Sequence, residues 1–333
     1  MTIPLLVFKL LDIFQNDLYY ETKFMNIQGK FMIKNMKIKT VMIAGIACSF
    51  VFAPLANIVP ASAATLTSVT PTTSLLSKSN KYYRAHKSAI VKKYKLDLSS
   101  QTALTSKKTA SVYVKTSNKY LKQSLTLAMN YWNQKLGRKV LKFGTQRSHT
   151  LTFSVSRAQA TLADESDAWW SPTDKKMQVR YSFFVKAPQS LANEILSTSM
   201  ASLIKKANAN IDEYAKTLDP SSADYAQKLA TYRNAQIAAA KAQLTAEKSD
   251  ISKSNIGYKA RTLEYAGTLA HEFGHALGLD HSPNKNDAMY YASDTPQIYD
   301  YAKLKANTKG FNPLTYTDVA RAKLALKMYS AVK

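Results

Sequence analysis

His271-Glu272-Phe-Gly-His275-Ala-Leu-Gly278-Leu-Asp-His281-Ser282 gathers three of the chain's five histidines around one glutamate. On an α-helix His271 and His275 stand one turn apart on the same face, so their imidazoles can converge on one cation at about 2.0–2.1 Å from each nitrogen. Glu272, beside the first ligand, points toward the open side of such a metal. A third ligand from the same helix face would strain the rise, so the chain must turn back after His275 before His281 arrives. Gly278 sits where that turn is needed, because glycine tolerates the left-handed conformation that ends a helix.

The stretch fills every fixed position of H-E-x-x-H-x-x-G-x-x-H, and Met289 follows in Asp287-Ala-Met-Tyr-Tyr, eight residues after His281. In this it resembles the metzincin zinc peptidases, whose pattern ends in a methionine turn. Ser282 and the run Ala276-Leu-Gly-Leu-Asp-His-Ser are similar to the matrixin branch; astacin-type enzymes carry glutamate after the last histidine. The resemblance implies Met289 as the hydrophobic floor beneath the zinc. It leaves Tyr291 two readings, an oxyanion-stabilising tyrosine of the astacin or serralysin kind, or part of the substrate-pocket wall. Matrixins usually have proline at that position. His86, in a Lys/Arg-rich stretch, and His149, beside Arg147, read as solvated or locally bonded.

Three neutral imidazoles leave the charge of Zn2+ uncompensated and one coordination corner open, where a water's pKa falls to about 7. Glu272 is then placed to take the proton of that water as it attacks a peptide carbonyl, and to pass it to the departing amine. The expected function is a secreted zinc endopeptidase with polypeptide substrates. Two rivals are a hydrolase of peptidoglycan cross-links and a non-catalytic, adhesive wall-binding protein on the same scaffold. Asp164, Glu165 and Asp167 lie where matrixins bind Ca2+, although a solvated acidic loop accounts for them equally.

The N-terminal region reads as an export signal. Lys34, Lys37 and Lys39 precede the apolar run from Val41 to Ala56, and Ala61-Ser-Ala63 offers a cleavage site. Residues 32–63 are expected to be the signal peptide and residues 1–31 an extended or non-native start, with Met32 or Met36 the expected initiator. Pro54, Asn57 and Pro60 interrupt a run already short for a membrane anchor. The one cysteine, Cys48, falls inside the signal, so no thiolate can block the zinc and no disulfide is expected. Without residues 1–63, forty basic and nineteen acidic side chains leave a net charge of +21. Such an excess draws the protein to polyanions, for an exported chain an anionic cell-wall polymer or membrane surface, as in a Gram-positive bacterium. The lysines read as dispersed, and no motif for specific nucleic-acid binding accompanies them. The chain is read as a monomer.

Residues 64–110, rich in Ser, Thr and Lys, read as a linker or pro-segment. The peptidase domain is expected over 111–333. Leu121, Leu125, Ala128, Trp132 and Leu136 recur at helical spacing between a cap, Asn118, and a terminating Gly137. Strands follow at 140–143, from Leu151 to Val155, and along Met177, Val179, Tyr181 and Phe183. The fold class is α+β and metzincin-like: a twisted mixed sheet with helices, the active-site helix from about 259 to 277, and a small irregular C-terminal subdomain ending in a helix. In that family a sheet-edge strand binds extended substrate, and 177–184 is the candidate for it, with Trp169 and Trp170 as packing residues. Residues 187–256 contain no glycine and break only at Leu218-Asp-Pro-Ser-Ser, which predicts an inserted helical hairpin. Tyr225, Leu229, Tyr232, Ala240 and Leu244 give its second helix one apolar stripe; it could cover the cleft, contact a partner, or only lengthen the fold.

Overall fold

The computed structural model describes residues 68–161, 165–291, 300–306 and 311–332. In chain order the elements are α1 (Thr73–Leu76), α2 (Asn80–Ala85), α3 (Lys87–Tyr94), a 3-10 helix (Leu98–Ala103), β1 (Ala110–Lys115) and α4 (Lys119–Leu136). Then come β2 (Leu141–Phe143), β3 (Leu151–Ser156), β4 (Ala168–Ser171), β5 (Lys176–Arg180), α5 (Tyr181–Lys216), α6 (Tyr225–Lys253), α7 (Ile256–Ala276), α8 (Tyr301–Lys305) and α9 (Tyr316–Val332). The signal segment, Cys48 and Asp164 lie outside the described residues. Among the described residues no helix is long and apolar enough to cross a membrane.

The five strands run in the order β2-β1-β3-β5-β4, parallel except for β4, which pairs antiparallel with β5. The α+β expectation is met by this mixed sheet with its helices. The alternation read in β3 buries Leu151 and Phe153, and in β5 Met177 and Val179, against the helices. α4 starts where its cap was read, with the Asn118 side chain accepting the N–H groups of Tyr120 and Leu121, and ends at Gly137 in a left-handed turn at φ +68°. It lies along α7: Ser124 Oγ donates to Thr262 O at 2.9 Å, and the buried Trp132 indole donates to Ala270 O at 2.8 Å.

Three expectations are corrected. The edge strand is β4, not 177–184; β5 is interior, and the alternation through Tyr181 and Phe183 continues into a helix that starts at Tyr181. There Phe184 is fully buried and meets the Tyr265 ring edge-on at 4.9 Å, a helical contact of α5 with α7 that overrides the period-two pattern. The hairpin therefore spans 181–253 rather than 187–256. Residues 68–104, expected to be part of a linker or pro-segment at 64–110, are packed on the domain: Leu75, Tyr83, Ile90, Tyr94, Leu96, Ala103 and Leu104 join the main apolar core.

The described chain divides into two compact units, one made of residues 207–238 and the other of all the remaining described residues. In the first, Tyr214 stacks on Tyr232 at 4.1 Å and Asn210 bonds Gln236 at 2.9 Å across the paired helices. In the second, the base of the hairpin is fastened to α7 through Leu191, Ile195, Ile256, Ala260 and Leu263. Gly257 packs there against the Pro188 carbonyl, which a Cβ would meet at 2.5 Å.

Replacing Trp132 by Phe removes the donor to Ala270 and part of the ring that joins α4 to α7. A loss of about 1–3 kcal/mol is expected, seen as a lower urea midpoint at unchanged slope; an unmoved midpoint would show that the indole N–H contributes nothing.

Candidate metal centre

α7 delivers His271 and His275 one turn apart, and its C-terminus decides where the next ligand goes. The Leu279 N–H donates to Gly274 O at 3.0 Å and the Gly278 N–H to His275 O at 2.8 Å, the paired bonds of a Schellman cap. Gly278 takes φ +99°, which reverses the chain and brings His281 back. The ligand nitrogens of His271, His275 and His281 lie within 4.8 Å of one another, and these three form the metal-capable group found among the described residues.

The two helix histidines are oriented by carbonyls. His271 Nδ1 lies 2.7 Å from Ala288 O, and His275 Nδ1 lies 2.8 Å from Leu279 O. A carbonyl only accepts, so each Nδ1 carries the proton, and in a neutral ring Nε2 then holds a lone pair. Both rings are neutral: burial first, then the neighbouring His275, lowers His271 to about 3, and burial likewise lowers His275. The two Nε2 atoms face each other at 3.1 Å. Two lone pairs at that distance repel, and a cation between them turns the repulsion into ligation. Ligands about 2.0–2.1 Å from a tetrahedral zinc stand roughly 3.3 Å apart, so the spacing of this pair fits that ion, with a His281 nitrogen within 4.8 Å of both. The carbonyl partners hold ring and tautomer as second contacts of metal-bound histidines do.

Glu272 is buried beside them, and its Oε2 accepts the Trp170 N–H of β4 at 2.7 Å. Burial raises its pKa to about 8, against the opposing pull of that N–H. The sheet edge read as packing thus touches the carboxylate, while its other side pairs with β5.

Met289 is fully buried under α7, where Gly274 makes room for it: a Cβ there would meet the Met289 sulfur at 2.1 Å. The backbone around it is held by Asp318 of α9, whose carboxylate accepts the N–H groups of Ala288 at 2.9 Å and Met289 at 3.3 Å. Ser282 closes the loop, its N–H donating to Met289 O at 2.7 Å and its hydroxyl to Asp287 at 2.6 Å. Burial, with Asp287 adding to it, raises the Asp318 pKa.

Tyr291 is 69% exposed, its ring tilted against that of Tyr290 with centroids 4.5 Å apart. His86 stacks on Tyr82 and bonds Tyr82 O, and His149 bonds Thr145 O and the Thr152 hydroxyl, so both are locally engaged. Of the acidic loop, Glu165 is exposed, and the Asp167 carbonyl accepts the Arg180 N–H at 2.8 Å. The buried Arg180 guanidinium donates to the carbonyls of Ala158, Gln159 and Ser166 in the same loop.

Sequence reasoning missed the Trp170 N–H, because a backbone donor leaves no residue signature. It also missed the reach of Asp318: Thr315-Tyr-Thr-Asp318 reads as a helix start, and nothing local marks a partner thirty residues upstream.

The matrixin family profile matches residues 100–309, more than half of the chain, and takes in the sheet, α7 and the methionine turn. No curated protein and no solved structure matches the chain. The three converging imidazoles and the extent of that match lead to one assignment: the chain belongs to the matrixin family of zinc metallopeptidases.

Proposed function

We propose that the protein is an exported zinc endopeptidase that cleaves extended polypeptide, with Glu272 as the proton-transferring base. The reading rests on the two carbonyl-anchored imidazoles whose Nε2 lone pairs face each other at 3.1 Å beside a buried carboxylate. Zinc, when bound, polarises the scissile carbonyl and acidifies water. The chain's own groups do the rest. Trp170 fixes Glu272 through Oε2, which leaves Oε1 to receive a proton from the attacking water and deliver it to the departing nitrogen. Burial increases the proton affinity of the carboxylate, which favours the first transfer, while a nearby dication acts in the opposite direction. β4 is the candidate strand for pairing with substrate backbone, since its edge lies beside Glu272. Tyr291 keeps its two readings, oxyanion support or pocket wall.

Export follows from the basic, apolar and small-residue succession of residues 32–63. The endopeptidase reading is favoured over hydrolysis of wall cross-links by the family's polypeptide chemistry, and zymography on casein beside zymography on cell walls separates the two.

A wall-bound location has a separate support. The cations are not evenly dispersed: residues 78–157 hold eighteen Lys and Arg with Asp97 as the one acid. Ion pairs found among the described residues involve Lys216, Lys228, Lys303 and Lys305, none of that group. Lys107, Lys108 and Arg138 meet at the start of β1, where Arg138 donates to the Lys107 and Lys108 carbonyls. Partial burial, then Arg138 and Lys327, lower the Lys108 pKa. An uncompensated cluster of this kind suits a phosphate-bearing wall polymer.

Glu272→Gln should retain zinc by metal analysis and lose about 10²- to 10⁴-fold in kcat on a casein-derived peptide, whereas His275→Ala should lose metal and activity together. Full turnover in the glutamine variant would remove Glu272 from the reaction. Changing Lys107, Lys139 and Lys142 together to Gln should weaken retention on isolated cell walls and flatten its salt dependence without altering peptide kcat; retention equal to that of the parent would place the contact elsewhere.

A further inference from the structure

We infer that the segment Tyr94–Gln101, in front of the sheet, is a brace that sets the position of the second and third metal ligands, with Gln101 as its central positioning residue. The inference rests on the zinc-site reading above and concerns residues that no part of that reading uses.

Ala276, the last residue of α7, and the turn Leu277–Asp280 are all that separate His275 from His281, and the polar backbone of that turn is held from outside α7. The Asp97 N–H donates to Gly278 O at 2.9 Å and the Asp280 N–H to Lys95 O at 3.0 Å, so that Leu96 and Leu279 form an antiparallel bridge. The buried Gln101 amide donates to Leu277 O at 2.8 Å and to Ala325 O of α9 at 3.2 Å. Its side chain covers Gly278 closely, since a Cβ on that glycine would lie 2.6 Å from Gln101 Nε2. The fully buried Arg321 of α9 ties both strips together, donating to the carbonyls of Tyr94, Lys95 and Asp280.

This arrangement reaches the metal ligands by two routes. Leu279 O orients the His275 ring, and Leu279 itself is bridged to Leu96. His281 follows Asp280, whose N–H donates to Lys95 O of the brace and whose carbonyl accepts from Arg321 of α9, itself tied to the brace at Tyr94 and Lys95. A carbonyl that orients a ligand histidine affects metal affinity about 10- to 100-fold. The consequence for processing is definite: an active form of this enzyme keeps residues 94–101, and any removable pro-segment must end before them.

The test compares parent, Gln101→Met, which conserves volume but donates no hydrogen bond, and Leu151→Val in β3 as a control for general destabilisation. Each protein is loaded with cobalt(II), its visible spectrum is recorded, and its metal affinity is measured by chelator competition alongside the melting temperature of the metal-free form. Gln101→Met should weaken metal binding about tenfold or more and alter the cobalt spectrum, while its metal-free melting temperature falls no further than that of the control. An unchanged spectrum with an affinity loss no larger than the control's would overturn the brace. A parent that binds no cobalt at the histidines would overturn the metal reading itself, and the brace with it. Should Gln101→Met fail to fold, Asp97→Ala, which removes the half-buried cap of the 3-10 helix carrying Gln101, is read by the same two measurements.

Discussion

The structure turns on two imidazoles held with their nitrogen lone pairs facing each other, a placement that a cation between them stabilises. Their Nδ1 protons are committed to Ala288 O and Leu279 O, which leaves two nitrogen lone pairs facing at 3.1 Å. Every nearby feature serves to keep that unfavourable pair in place. Gly274 removes a side chain so that Met289 can lie under the helix. Asp318 fixes the backbone whose carbonyl holds His271. Gly278 and the strip over it hold the turn whose carbonyl aims His275.

Electrostatics divides the site into parts with different duties. Burial keeps both helix histidines neutral, the form that can ligate a metal without first losing a proton. The same burial raises the proton affinity of Glu272. One low-dielectric pocket thus gives neutral ligands and a carboxylate of raised proton affinity, opposite shifts from one cause because the two residue types are charged in opposite protonation states. The sheet takes part through β4, the antiparallel edge strand, whose Trp170 N–H binds one oxygen of the carboxylate and leaves the other unclaimed by it.

Much of this was legible in the residues. α4 was readable from cap to cap, since Asn118 and Gly137 each have a local physical role that no distant contact overrides. The grouping of the three histidines was readable because helix geometry dictates the spacing of His271 and His275, and the turn at Gly278 brings His281 back to them. Other features were hidden for stated reasons. β4 is four residues long, follows an acidic loop, and its Ala-Trp-Trp-Ser sequence does not alternate apolar with polar even though its burial does. The period-two pattern of 177–183 runs past the strand by coincidence, and the burial of Phe184 against Tyr265 decided for helix. The Ser/Thr/Lys-rich composition of 64–110 suggested a linker or pro-segment, yet seven apolar side chains between Leu75 and Leu104 reach the core. Gln101 could not be singled out at all: an isolated glutamine acquires its role only when the chain is folded and Leu277 lies above it.

The central claim is that His271, His275 and His281 hold one zinc ion through their Nε2 atoms. A crystal of the zinc-loaded protein, measured on both sides of the zinc absorption edge, tests it most directly. A single anomalous peak about 2.0–2.1 Å from all three Nε2 atoms, with the Glu272 carboxylate facing its open side, is the expected result. No peak among the three rings, or a peak held by other side chains, would contradict the account.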